Sequence, residues 1–181
     1  MTGAAAGPWV VELADVGSAE CEQLLRDYYV EVSDRWHRLH HGRDSTPDEI
    51  ESGFPRMRSD DLAPPTGEFV VARSADDPSM LAGCVGLRRL RDDRGRRVAD
   101  LRRLYVRPEH RGTGLGSALV LCAEEIARVW GVEAVRLDTR RDLVEARALY
   151  VRHGWAEVPA FNDGPYAEVW YAKELARQDD A

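Results

Sequence analysis

Long apolar runs are absent from this chain, although 44% of its 181 residues are hydrophobic. No run approaches the ~18 apolar residues that a membrane-spanning helix needs, which excludes such a helix. The first residues lack both the basic segment and the continuous apolar segment of a secretion signal. The three cysteines are odd in number and show no C-x-x-C spacing, so neither a disulfide framework nor a zinc site is predicted. We therefore expect a cytoplasmic protein in a reducing compartment, without a membrane partner.

Positive charge is also scarce. The chain has 25 basic and 32 acidic residues, a net charge of −7, which argues against nonspecific binding to nucleic acid. The segment 88–97 resembles a basic patch, but it contains Asp92, Asp93 and Gly95. These residues predict a hairpin turn between two strands, with the arginines on the solvated face. No nucleic-acid partner is expected.

Metal-ligand spacing is missing as well. His37 and His41 have the i, i+4 spacing of one helix face, and His40 lies between them. No Glu-x-x-His element accompanies them, and the segment is polar throughout. We predict a solvated histidine cluster and no metal site.

Two familiar phosphate-binding motifs are absent, and a third pattern is present. The dinucleotide motif G-x-G-x-x-G fails because its last glycine would fall on Ser117, and Gly-Lys-Ser/Thr occurs nowhere. Residues 111–116, RGTGLG, instead join a strand-like run to apolar residues at helical spacing. A helix N-terminus, glycines that admit close backbone approach and one arginine together suit a diphosphate. A glycine-rich turn that serves packing alone remains the alternative.

The apolar patterns predict an α/β (α+β) fold with a mixed, mostly antiparallel sheet. A helix separates the predicted strands 98–106 and 134–139, so these two should form a central parallel pair through a right-handed crossover. Other strands are predicted at residues 9–13, 68–73, 81–90, 155–158 and 167–173. Helices are predicted from an N-cap at Ser18, from Thr46-Pro47, after the glycine-rich turn, and over residues 143–153 with Gly154 as the C-cap.

The whole chain, residues 1–181, is of a length that suits a single domain. Residues 1–8 are predicted to be a loose tail. Residues 35–65 have little periodicity and are rich in His, Asp, Arg and Pro, so they are predicted to form a binding loop with a short helix.

Residues 106–116 resemble the cofactor-binding motif of the GNAT superfamily of acetyl-CoA-dependent N-acetyltransferases. The matching residues are Val106, Pro108, Arg111, Gly112, Gly114 and Gly116. Residues 146–155, ARALYVRHGW, are similar to the family's A-x-x-L-Y-x-x-x-G-F pattern, with tryptophan in place of phenylalanine. The resemblance covers roughly residues 67–175 and implies a GNAT-like sheet with helices on both faces.

The resemblance also implies site residues. The family binds the CoA diphosphate on the turn and pairs the pantetheine arm with the strand before it. The cofactor-binding residues are then Leu104, Tyr105, Val106, Arg111, Gly112, Thr113, Gly114, Leu115, Gly116 and Ser117. The Val106 N–H is expected to stabilise the charge that develops on the carbonyl oxygen. Relatives commonly have an asparagine near Arg140 or Leu143 that contacts pantetheine, and this chain has none there.

Three side chains are candidates for proton transfer. Tyr150, in the second motif, is expected to protonate the departing thiolate, because a phenol stays protonated near neutral pH. A core or rim tyrosine is the alternative. Asp100 and Glu68 lie on predicted strands near the site, and either is a candidate general base, directly or through water. Both are also compatible with solvated strand residues.

The predicted function is transfer of acetyl from acetyl-CoA to a primary amine, by direct attack in a ternary complex. No covalent intermediate is expected, because Cys122 lies in the apolar stripe of a helix without a histidine to activate it. The acceptor is a small-molecule or peptide amine, and carboxylates of the long loop (Asp44, Asp48, Glu49, Asp60 and Asp61) favour a cationic one. The alternative is a non-catalytic acyl-CoA-binding or sensing module, and a homodimer stays open. Residues 158–170 interleave aromatics with a turn; they either bring Phe161 and Tyr166 to the acceptor pocket or pack Trp155 and Trp170 into the core.

Overall fold

The computed structural model describes residues 4–6, 8–57, 59–92 and 94–175, which form one mixed sheet flanked by helices. The strands are β1 (Ala4–Ala6), β2 (Trp9–Ala14), β3 (Gly67–Ser74), β4 (Leu81–Arg91), β5 (Arg97–Val106), β6 (Ala134–Thr139), β7 (Ala156–Val158) and β8 (Val169–Glu174). The helices are α1 (Ala19–His41), α2 (Pro47–Gly53), α3 (Leu115–Val129) and α4 (Val144–Arg152). Short 3-10 turns lie at Phe54–Arg56, Asp60–Leu62 and Pro108–His110.

The strand order in the sheet is β1-β2-β3-β4-β5-β6-β8-β7. Of the neighbouring pairs in the described chain, β5 and β6 alone are parallel, and α3 is the crossover between them. This confirms the mixed, mostly antiparallel sheet with a central parallel pair. The last two predicted strands also close the sheet, with β8 beside β6 and β7 at the edge.

Two apolar clusters lie on opposite faces of the sheet because side chains alternate along each strand. On β3, Val70 belongs to the cluster that contains Leu119 of α3. The preceding residue, Phe69, belongs to the cluster that contains Leu24 of α1. Helices α3 and α1 therefore cover opposite faces, as predicted. None of the described helices is long and apolar enough to cross a membrane.

Side-chain caps confirm the predicted helix starts. The Ser18 hydroxyl accepts a hydrogen bond from the Cys21 N–H at 3.4 Å. Thr46 and Glu49 form a reciprocal capping box at the start of α2. Helix α4 ends at Arg152, and Gly154, two residues later, takes the left-handed conformation with φ of 78°.

Two expectations about the N-terminal third are wrong. Ala4–Ala6 pairs with β2 as a strand instead of belonging to a loose tail, while residues 1–3 and 7 lie outside the described ranges. Helix α1 continues to His41, so residues 35–41 are helical and not irregular. Apolar periodicity missed these turns because Trp36 and Leu39 are their only apolar side chains and no residue of 35–41 is buried. Gly42, with φ of 68°, ends the helix.

Candidate active site

A gap opens where β5 and β6 part, and we call it the cleft. The parallel ladder between the two strands ends at the pair Asp100 and Arg136. Within the described residues, β5 continues to Val106 and β6 to Thr139 without further pairing between them. The edges that face the cleft therefore lack a sheet partner, which an extended ligand with amide groups can supply.

A β-bulge on β5 lies along one wall of the cleft. Between the pairs Gly86–Arg102 and Cys84–Tyr105, β5 has one residue more than β4. Arg103 lies in this bulge with φ of 57°, and it is the only non-glycine residue with positive φ in the described chain. Strained backbone of this kind clusters at functional sites, and a bulge re-aims the residues that follow it.

The backbone groups of Val106 point into the cleft. The Arg107 N–H donates to the Ala82 carbonyl at 2.9 Å, so these two residues form a hydrogen-bonded pair of the antiparallel ladder. Hydrogen-bonded and non-hydrogen-bonded pairs alternate, and Val106 with Gly83 is the next pair. The N–H and carbonyl of Val106 therefore face away from β4. This is the orientation that the predicted role of the Val106 N–H requires.

The turn after β5 leaves its backbone open. Gly112 has φ of 76° and Gly114 has φ of 86°, and a Cβ at either position would meet nothing within 4 Å. Gly114 is the N-cap of α3, and no side chain caps that helix end. The N–H groups of the first helical turn, at Leu115, Gly116 and Ser117, are therefore available to an anion. These residues fit a diphosphate.

Gly116 and Ser117 also contact α4. A Cβ on Gly116 would lie 3.2 Å from Cδ2 of Leu149, so this glycine permits close packing between α3 and α4. The Ser117 Oγ lies 2.9 Å from Nε2 of His153. Close packing against α4 therefore explains Gly116. No packing contact explains Gly112 or Gly114.

Arg111 is held at the edge of the turn by an ion pair from α1. Its Nη2 lies 2.8 and 2.6 Å from the two carboxylate oxygens of Glu31, and its Nε donates to the Val106 carbonyl at 2.9 Å. The Thr113 hydroxyl donates to the His110 carbonyl at 2.7 Å. Glu31 thus gives Arg111 an anionic partner beside the open glycine-rich turn.

Helix α1 spans the cleft and is tied to both walls. On the β5 side, Nη2 of Arg107 lies 2.7 Å from a carboxylate oxygen of Asp27. On the β6 side, buried Arg140 donates to the Val32 carbonyl at 2.7 Å and binds both oxygens of Asp142 at 2.8 Å. Arg140 lies where relatives commonly have the pantetheine-contacting asparagine. Here the side chain fastens the loop after β6 to α1 instead.

Tyr150 lies in the last turn of α4 and is buried, with 5% of its surface exposed. Its ring packs at centroid distances of 5.7 Å from Trp155 and 5.9 Å from Tyr171. Burial raises the pKa of the phenol, and the nearby Tyr28 and Asp138 raise it further. No described residue accepts a hydrogen bond from the Tyr150 hydroxyl. The side chain is therefore both a core residue and a protonated donor without an internal acceptor.

The structure does not bring the two predicted general bases together. Asp100 is buried, and its oxygens bind Nη2 of Arg88 at 2.8 Å and Nε of Arg136 at 2.7 Å. Both carboxylate oxygens of Asp100 are thus occupied by guanidinium groups of the chain itself. Glu68 lies on β3, where it pairs with Leu87 of β4, and strands β4 and β5 separate it from β6. Alternation along β3 places Glu68 on the α3 face of the sheet, whereas Asp100 lies on the opposite face.

Asp138 is a carboxylate that sequence reasoning missed. It lies on β6 beyond the last β5–β6 pair, on the same face as Arg136, and is solvent-exposed. One oxygen accepts a hydrogen bond from Nδ2 of Asn162 at 2.8 Å. The strand pattern contains Asp138, but only the end of the parallel ladder shows that it borders the cleft.

The loop between β7 and β8 satisfies both alternatives in part. The Phe161 ring lies 4.3 Å from Cζ of Arg136, and Tyr166 is exposed with its ring 6.2 Å from that of Trp36 in α1. Trp155, by contrast, is buried in the core. Phe161 thus lies against β6 and Tyr166 against α1, while Trp155 packs inside.

Comparison with known sequences identifies one family. A family model described as the acetyltransferase (GNAT) family matches residues 21–155. An uncharacterised N-acetyltransferase of Schizosaccharomyces pombe is 33% identical over 110 residues, which cover 61% of this chain and 64% of that protein. The match thus spans slightly less than two thirds of that relative.

Solved structures share the fold. The PaiA N-acetyltransferase of Thermoplasma acidophilum, in complex with coenzyme A, superposes with a TM-score of 0.66 at 22% identity, over 91% of this chain and 99% of that one. An acetyltransferase of Bacillus subtilis, also in complex with CoA, gives a TM-score of 0.57 at 19% identity, over 92% and 98%. At these identities the likeness is one of fold.

Proposed function

Because the chain belongs to the GNAT acetyltransferase family, we propose that it transfers acetyl from acetyl-CoA to a primary amine by direct attack in a ternary complex. One observation carries the proposal. The open cradle at residues 112–117 adjoins the cleft between β5 and β6, and Val106 directs its backbone N–H away from β4 and into that cleft. Structural relatives bind CoA, which supports the same co-substrate here.

The cradle and the cleft have separate tasks. Acetyl-CoA supplies an activated acetyl group as a thioester. The N–H groups at the start of α3, with Arg111, hold the diphosphate by charge-assisted hydrogen bonds. The β5 edge from Leu104 to Val106 orients the pantetheine arm, and the Val106 N–H stabilises the oxyanion.

Two protons have to move. The acceptor ammonium loses one before it attacks, and Asp138 borders the cleft where it can take that proton directly or through water. Tyr150 gives a proton to the departing thiolate, since its raised pKa keeps the phenol protonated. Burial raises the pKa of the Cys122 thiol, so this cysteine is not an activated nucleophile, which favours direct transfer.

The experiment combines binding with turnover. Acetyl-CoA at a hundredfold excess over its Kd should stabilise the protein by about 2.7 kcal/mol, and analogues without the diphosphate by less. Thiol release with a panel of amines should then identify acceptors. Stabilisation without thiol release from any amine would favour the non-catalytic binding module, and no stabilisation at millimolar acetyl-CoA would exclude both.

A further inference from the structure

Five charged side chains form a connected set on the α1 face beside the cleft, and we call it the arginine network: Arg88, Arg102, Arg136, Asp61 and Asp100. Arg88 binds Asp61 and Asp100, each at 2.8 Å. Arg136 binds the other oxygen of Asp100 at 2.7 Å. Arg102 contacts the network only through Oδ2 of Asp61, at 3.2 Å. The same oxygen also accepts a hydrogen bond from Arg88.

The network has more positive than negative charge. Its described members are three guanidinium groups and two carboxylates. Burial lowers the pKa of Arg102 and repulsion from Arg103 and Arg88 lowers it further, while Asp61 and Asp100 raise it by less. Nε of Arg88 and Oδ1 of Asp61 are buried without a partner. The network is therefore incomplete as it stands, both in charge and in hydrogen bonds.

Arg102 lies on β5 where the cleft begins. It is two residues beyond Asp100, the last residue of β5 that pairs with β6, and the bulge begins directly after it. Its side chain contacts Asp61, in the region predicted to be on the acceptor side. Val106 lies four residues further along β5, at most about 13 Å of extended strand. A small acceptor with its nitrogen at the thioester would have its other groups near Arg102.

The acidic loop residues do not offset this positive charge. Asp44 is bound by Arg38, and Glu49 by Arg43. Asp61 is a member of the arginine network itself. Three of the five loop carboxylates are therefore paired within the chain, which weakens their attraction for a cationic acceptor.

We propose that Arg102 binds a carboxylate of the acceptor, so that the acceptor is an amino acid or a similarly small amine that carries a carboxylate. The guanidinium fork suits a carboxylate, and one additional anion would balance the three cations of the arginine network. This inference rests on the proposed function. The amine nitrogen forms a bond to the acetyl carbon, the carbon–sulfur bond breaks, and the amine proton and the thiol proton move as described above. The products are an N-acetyl amino acid and free CoA.

The test compares matched acceptors. Each L-amino acid is assayed by thiol release beside its carboxamide and its decarboxylated amine. The wild type should prefer the carboxylate form by about 10- to 100-fold in kcat/KM, the usual effect of a charge-assisted hydrogen bond. Arg102→Gln should lose this preference, because kcat/KM should fall far more for the carboxylate forms than for the decarboxylated amines. Arg102→Lys should restore part of it, because lysine keeps the charge and loses the fork.

Arg91→Gln is the matched control, because Arg91 lies at the far end of β4 and donates to the Gly95 carbonyl. Calorimetric binding of the same amino acids in the presence of CoA tests Arg102 independently of turnover. Carboxylate-dependent binding without thiol release would overturn the proposed function alone. The inference would be overturned if carboxylates and carboxamides gave the same kcat/KM and the same affinity. It would also be overturned if Arg102→Gln lowered kcat/KM equally for all acceptors.

Discussion

At the scale of single residues, Tyr150 is the side chain on which the proposed chemistry depends most. Tyr150→Phe removes the hydroxyl and keeps the ring that packs on Trp155 and Tyr171, so fold and acetyl-CoA affinity should survive. Turnover should fall by about 10²–10⁴-fold, as for a positioned proton donor, and the loss should appear in kcat. Steady-state kinetics with an accepted amine measures this. A Phe variant with wild-type kcat would make Tyr150 a packing residue.

Asp138 yields the second residue-scale prediction. Asp138→Asn keeps the size of the side chain and removes the proton acceptor, so kcat/KM should fall by about 10²–10⁴-fold. Steady-state kinetics with an accepted amine measures the change. Asp163→Asn, an exposed residue of the adjoining loop, is the control and should behave as the wild type. A wild-type kcat/KM in the Asp138 variant would exclude it as the base.

These residues also show which features of the site can be predicted from the sequence. Tyr150 and the glycine-rich turn lie in local motifs, and a motif can be read without knowledge of the fold. The choice between Asp100 and Asp138 depends on where the β5–β6 ladder ends and on which side chains bind each carboxylate. Those are contacts between residues distant in sequence, and no spacing rule contains them.

At the scale of elements, the turn before α3 can be separated from its neighbours by substitution. Gly114→Val should abolish acetyl-CoA binding, because a β-branched side chain obstructs the cradle and disfavours φ of 86°. Thermal-shift titration with acetyl-CoA is the measurement.

Gly95→Val is the control for backbone strain. Gly95 also has positive φ with nothing within 4 Å of its Cβ position, but it lies in the β4–β5 hairpin. Both variants should lose similar stability, and only the Gly114 variant should lose the ligand. Normal binding by Gly114→Val would mean that the turn is structural.

The tie between α1 and the turn predicts a gain instead of a loss. In Glu31→Gln the carboxylate that occupies Arg111 is gone, and with it a negative charge beside the cradle. Acetyl-CoA should bind several-fold more tightly, by ~0.5–1.5 kcal/mol for an exposed charged contact. Isothermal titration measures the change. Glu20→Gln removes a carboxylate of the same helix that binds Arg73 away from the turn, and it should leave the affinity unchanged; weaker binding by the Glu31 variant would contradict the prediction.

Most elements are readable from the sequence because each carries a local signal. The capping box at Thr46 and the parallel strands on either side of α3 follow from residue types and from connection length. The last turns of α1 carry no apolar stripe, because ion pairs and not burial fix them. One such pair joins Arg35 to Glu145, more than a hundred residues away in the chain.

At the scale of the whole molecule, one buried ion pair joins helices and sheet. Lys173 of β8 donates to both oxygens of Glu124 in α3, at 2.8 and 2.7 Å, and to the His153 carbonyl at 2.8 Å. Trp155 donates its indole N–H to the same carboxylate at 2.9 Å. Glu124 has 1% of its surface exposed, so water cannot replace these donors.

Lys173→Met should therefore lower stability sharply, because it leaves the Glu124 carboxylate buried with its main counter-charge removed. The expected loss is about 3–5 kcal/mol, which corresponds to roughly 10 °C in Tm for a chain of this length. Thermal unfolding followed by circular dichroism measures it. The double variant Glu124→Gln/Lys173→Met should recover part of the loss, since no uncompensated charge remains. A single variant with wild-type Tm would show that the ion pair contributes no net stability.

The same ion pair affects how the protein reacts with acetyl-CoA, the proposed co-substrate. Lys173 is the only lysine in the 181 residues, and acetyl-CoA slowly modifies lysine amines without any enzyme when they carry a free lone pair. The three donors of Lys173 are already engaged, so its nitrogen offers no lone pair for attack on a thioester. The arginines that carry the remaining positive charge are protonated at any physiological pH and do not react either. A folded chain incubated with acetyl-CoA should thus stay free of side-chain lysine acetylation, and acetyl-lysine at position 173 would serve as a chemical marker of unfolding.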